Sequence, residues 1–89
     1  MARMGMEMMD NMDSAAQAGG AEGLYNLGLK YSAGKGVEAD LIEAHKWFNL
    51  AAMRGNREAR DYRSELADEM SSDEISEAQR QAREWLKTH

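Results

Sequence analysis

Apolar residues recur along this chain at helical spacing. Leu24, Leu27, Gly28 and Tyr31 fall at i, i+3, i+4 and i+7, and Leu41, Ala44, Trp47, Phe48, Ala51 and Ala52 repeat the same period. Ala59, Tyr62, Leu66 and Met70 form a narrower stripe among charged residues, and Ile75, Ala78, Ala82, Trp85 and Leu86 form a last one. Each set lies on one face of a helix, where it can be buried against a neighbour. Proline is absent, and leucine, alanine, methionine and charged residues predominate, the composition of good helix formers. The pattern predicts an all-α fold of about five helices, over residues 3–18, 21–33, 40–54, 57–70 and 73–88.

The breaks between stripes carry their own signals. Gly34 can take the left-handed conformation that ends a helix, and Asp40 followed three residues on by Glu43 is a capping-box pattern for the next one. Gly55 closes that second helix. Ser71 and Glu74 repeat the capping box before the last helix, and Arg83 and Lys87 near its end suit the helix dipole. Gly28 in mid-helix costs about 1 kcal/mol relative to alanine. A close approach by the neighbouring helix is expected to compensate.

Self-comparison adds an internal repeat. "AAQAGGAEG" at Ala15 to Gly23 returns as "AAMRGNREA" at Ala51 to Ala59, an offset of 36 residues that aligns Ala15 with Ala51, Gly19 with Gly55 and Glu22 with Glu58. A period of this size points to stacked helical hairpins. The segment Ala21 to Asn56 combines L-G-x-x-Y, a G-x-G-V turn, an aspartate, A-x-x-W and A-A-x-x-G. In this it resembles a Sel-like repeat, a relative of the tetratricopeptide repeat. The resemblance implies an αα-hairpin superhelix, a repeat solenoid used as a protein-binding or adaptor scaffold rather than a catalyst. Where a further unit would repeat the leucine and glycine of L-G-x-x-Y, the chain has Arg63 and Ser64. Residues 1–89 are therefore expected to be a single repeat domain: a partial repeat helix at 1–20, a complete repeat at 21–56 and a degenerate C-terminal capping hairpin at 57–89, with Trp85 packing back on Tyr62 and Leu66.

Residues Met4 to Met12 hold five methionines in nine positions. Shifted by the repeat offset, Met8 and Met12 take the places of Ala44 and Phe48, so the run reads as the second helix of a unit whose first helix is missing. Methionine suits such a place because it fills irregular gaps. The alternatives are a flexible tail, or Cu(I) ligation by soft thioethers. Helical register opposes the second, because Met6 and Met8 would point to different sides of the helix. Apolar surface around Met4, Met8 and Met12 would favour self-association into a homodimer.

Composition narrows the function. The chain has no cysteine, which removes disulfides, thiol nucleophiles and zinc-thiolate sites. A formal charge of -5 disfavours nucleic acid, whose phosphates call for clustered lysine and arginine. No stretch is apolar for the length of a membrane span, and Glu7, Asp10 and Asp13 interrupt any signal-peptide pattern, so the expected location is cytoplasmic and no membrane partner is expected. His45 beside Trp47 reads as a partly buried structural residue rather than a base. The "GKG" at Gly34 to Gly36 lacks the P-loop spacing. No triad or metal-ligand spacing stands out, and neither catalytic residues nor a cofactor are expected.

The acids are sorted rather than scattered. On the helix from Arg57 to Met70, Glu58, Asp61, Glu65 and Asp68 fall within about 80° of one another. By the register of the resemblance this stripe faces the concave groove of a superhelix, where Glu22, Tyr25 and Leu29 continue the surface. These seven residues are the candidate partner-binding site, for a basic or mixed protein or peptide segment with Tyr25 as amphipathic anchor. The alternative is a solvated helix face.

Overall fold

A computed structural model describes residues 20–89. It contains four helices: α1 (Ala21–Ala33), α2 (Leu41–Met53), α3 (Arg57–Glu69) and α4 (Ser72–Thr88). The fold is all-α, and the four helices predicted within this range are present, with bounds within one residue of those expected. The fifth predicted helix, at 3–18, lies outside the described residues, as do Met4, Met8 and Met12.

The termini follow local chemistry. Helix α1 ends at Gly34, whose φ of 71° is the left-handed conformation and whose N–H donates to the Lys30 carbonyl; a side chain there would be strained. The Asp40 carboxylate accepts from the N–H groups of Ile42 and Glu43 at 3.0 and 3.1 Å. The reciprocal half of that expected capping box is missing. The Glu43 carboxylate instead accepts from Lys46 Nζ and, at 3.0 Å, from Trp47 Nε1, stronger or better-aligned donors within its reach on the same helix face. At α4 the box is complete: Ser71 Oγ accepts from the Glu74 N–H, and Glu74 Oε1 accepts from the Ser71 N–H at 2.8 Å. Asn56 caps α3 by accepting from the Ala59 N–H at 2.7 Å.

Helix α2 is the hub. Helices α1, α3 and α4 each pack along it, and among the described residues no other pair of helices shares a comparable contact. Its buried residues explain this: Ala44, Phe48 and Ala51 line one side, while Leu50, also buried, lies about 160° around the axis from Phe48. A helix buried on opposite faces belongs inside the fold. Small residues let its neighbours close in. Leu24 and Gly28 come from α1, Ala59 and Leu66 from α3, and Ala78 and Ala82 from α4, all of them buried.

The position of α4 corrects one expectation. Trp85 does not stack on Tyr62; its ring meets Trp47 edge to face at 5.9 Å, with the Arg54 guanidinium 5.7 Å away and His89 stacked on it at 4.3 Å. Tyr62 is committed elsewhere, to Tyr25 and Phe48. The reason is the unequal supply of apolar surface. Helix α3 is mostly charged on the sides it does not give to α2, whereas α2 offers Trp47 on a second apolar side for the α4 stripe.

Gly28 is the tightest point. A Cβ there would lie 2.5 Å from both Phe48 Cδ1 and Cε1, atoms of a fully buried ring. Gly28→Ala should therefore destabilise the fold by about 1–3 kcal/mol through overpacking, despite a helix-propensity gain of up to about 1 kcal/mol. In a Phe48→Leu background the penalty should shrink toward zero. Urea denaturation of the four members of this cycle measures the coupling; an equal penalty in both backgrounds would show that the ring is not what excludes the methyl group.

Candidate protein-interaction groove

Side chains of α1 and α3 meet over Phe48 of α2, whose ring is wholly buried beneath them. Tyr25 projects from α1 and Tyr62 from α3, with ring centroids 6.0 Å apart. Both rest on Phe48: Tyr25 at 5.9 Å in a tilted arrangement, Tyr62 at 5.3 Å and within 12° of parallel. Such ring contacts are individually worth about 0.5–1.5 kcal/mol beyond area burial, so the two tyrosines are held in place from below. Tyr62 nonetheless keeps 39% of its surface exposed. An aromatic ring that is both fixed and accessible loses little freedom when something docks on it.

Beside Tyr62 the surface is hollowed into an open depression of about 580 Å3 that, among the described residues, has Leu29 and Tyr62 as apolar walls with Asn26, Ser32, Lys30 and Lys35 around them. Ser32 Oγ is already engaged, donating to the Leu29 carbonyl at 3.1 Å. The Tyr25 hydroxyl sits where partial burial, the Glu58 carboxylate and the Tyr62 phenol all disfavour a phenolate. Its pKa is raised above the ordinary tyrosine value, so the hydroxyl remains a neutral donor or acceptor at any physiological pH.

The seven residues expected to bind a partner divide between two settings. Tyr25 and Leu29 are half-buried in the groove walls, and Glu58 reaches Tyr25 electrostatically. Glu22, Asp61, Glu65 and Asp68 are exposed and are not part of the cavity lining. None of the four α3 acids is in an ion pair among the described residues. Tyr62, Lys30 and Lys35 were not among the expected site residues. The repeat offset carried a signal for the first: shifted by 36 positions, Tyr62 takes the place of Asn26, which also lines the cavity. The lysines had none, because only the turn after α1 brings Lys35 back beside Leu29.

The back of α3 is tied to α2 by a polar contact. Arg63, standing where the repeat pattern has leucine, donates from a terminal guanidinium nitrogen to Asn49 Oδ1 at 2.7 Å. Nearby, His45 of α2 is only 3% exposed, and its Nδ1 has no hydrogen-bond partner among the described residues. It is thus more deeply buried than expected. Burial, reinforced by the positive charge of Arg63, pushes its pKa below the usual 6.5, and the neutral ring packs without a second buried cation beside the guanidinium. Among the described residues no group of three or more His, Cys, Asp or Glu is arranged to hold a metal ion, and no helix is long and apolar enough to cross a membrane.

The sign of the pH dependence follows. The unfolded chain takes up a proton on His45 at a higher pH than the folded one, so stability rises with pH through this window and is lost as pH falls below about 6.5. The slope is at most about 1.4 kcal/mol per pH unit. Glu77, held at a pKa of about 2 by its hydrogen bonds from Arg80 and Gln81, acts in a separate range, below the ordinary glutamate value. Urea midpoints should therefore drop between pH 7 and 5.5 in the wild type and hold steady in His45→Leu; parallel drops in both would remove His45 as the cause.

Comparison with curated proteins and with solved structures gives no match. The Sel1 repeat family model matches residues 21–56, which span α1, α2 and the turn into α3. Sel1 repeats are helical-hairpin repeats that serve generally as protein–protein interaction modules. From Ala21 to Asn56, then, the chain is similar to a Sel1 repeat, and this segment supplies the α1–α2 hairpin.

Proposed function

We propose that this chain is a non-catalytic interaction module whose α1–α3 groove receives a segment of a partner protein. The observation that carries the proposal is Tyr62, held on Phe48 and Tyr25 yet open to solvent beside an apolar-walled cavity. Fixed, partly exposed aromatics of this kind make anchor points at protein interfaces. Tyr25 adds a hydroxyl to the same surface, and Leu29 an apolar wall.

The acids on α3 supply direction. Glu58, Asp61, Glu65 and Asp68, continued across the groove by Glu22, make a negative field on the exposed side of the module. A partner segment with basic residues would be steered to that side, and its affinity would fall as salt rises.

Two variants test the parts separately. Glu65→Lys with Asp68→Lys changes only exposed side chains and should leave stability within about 0.5 kcal/mol of wild type, while basic partner proteins captured at low salt should be lost. If every such partner is retained, the acidic side plays no part. Tyr62→Ser should lose partners at all salt concentrations; equal capture by this variant, checked for a folded state by circular dichroism, would count against the groove itself.

A further inference from the structure

Among the described residues His45 is the one buried polar side chain, and the groove does not use it. It belongs to the contact between α2 and α3. Asn49 lies one turn further along α2 on the same face, and its Oδ1 accepts from the Arg63 guanidinium of α3 at 2.7 Å. A cation is thereby brought to the turn of α2 next to the imidazole, and it is the charge that bears on the ring.

The groups around this contact leave a second positive charge there without relief. On α3, the acids Glu58, Asp61, Glu65 and Asp68 are exposed and each lies at least about 140° around the axis from Arg63; Arg60, three residues before Arg63 on the same side, adds a cation instead. Between Glu22 and Lys30, α1 carries no charged residue, and Tyr25 and Tyr31, which pack against the core, are phenols and neutral in mild acid. Helix α4 meets α2 at Trp47, with its Glu77 and Glu84 paired to Arg80 and Lys87. On α2 itself Glu43 is held by Lys46 and Trp47.

We propose that His45 is an acid-operated latch on α3: protonation of its ring puts two cations into the α2–α3 contact, the Arg63–Asn49 bond gives way, and α3 lifts from α2 while the α1–α2 hairpin stays packed. Helix α3 is the element poised to leave, because within it only Ala59 and Leu66 are buried, and local opening draws on elements with few buried apolar contacts. The hairpin keeps its close contact of Gly28 with Phe48. In the open form the imidazole is hydrated and takes its proton at the ordinary value, so acid favours opening below about pH 6.5. Tyr62 and the acids of α3 leave with the helix. On the groove reading above, acid then releases a bound partner; the latch itself does not depend on that reading.

The test is native-state hydrogen exchange of the full chain at pH 7 and 5.5, expressed as protection factors so that the intrinsic effect of pH on exchange is removed. At pH 7 the α3 amides, Leu66 among them, should be protected about tenfold less or lower still than Leu27 and Gly28 of α1. Their protection should fall by a further factor of about three or more at pH 5.5, and His45→Leu should abolish that fall. Equal protection of α1 and α3 at pH 7 would show that α3 opens only with the whole fold. A local opening unchanged by pH would show that it leaves His45 covered, and a fall that persists in His45→Leu would place the titrating group elsewhere. Any of these three results overturns the latch, and none of them bears on the groove reading.

Discussion

The contact between Gly28 and the ring of Phe48 is the constraint on which the rest of this structure depends. No side chain larger than hydrogen fits at Gly28 without displacing a ring that is wholly buried, so α1 approaches α2 more closely there than any Cβ would permit. The same ring supports Tyr25 on one side and Tyr62 on the other. One aromatic residue thus sets the α1–α2 spacing and also positions the two tyrosines that border the groove. Packing and the candidate surface are coupled at this point, because moving the Phe48 ring moves both tyrosines.

Around that contact α2 works as a shared core element. It gives Ala44, Phe48 and Ala51 to one side, Trp47 and Leu50 to others, and carries the polar pair His45 and Asn49 beside Arg63. The use of small residues on the partner helices keeps distances short where three helices crowd onto one. Arg63 departs from the leucine of the repeat pattern, and its place is rationalised by the acceptor it finds on Asn49. The cation also explains why a neutral His45 is preferred next to it. A polar join of this kind fixes the position of α3 with fewer apolar residues than a regular repeat would use.

Much of the architecture was legible in the chain. The helical period of the apolar stripes, the left-handed glycine at Gly34, the full capping box at Ser71 and the need for a close neighbour at Gly28 are local or nearly local constraints, decided by backbone sterics and by hydrogen bonds within a few residues. The repeat signature from Ala21 to Asn56 marked the α1–α2 hairpin for the same reason: that turn leaves few ways to orient the two helices. What only the tertiary structure decided involves elements far apart in sequence. Amphipathic periodicity says that Trp85 and Tyr62 have apolar neighbours but not which ones, and α4 settled on Trp47 because α2 had a second apolar side to offer. Likewise Glu43 gave up its capping role to donors on its own helix, and Lys35 joined Leu29 and Tyr62 only through a turn and an interhelical crossing. Those outcomes depend on competition among partners for the same surface, and that competition is resolved when the helices pack.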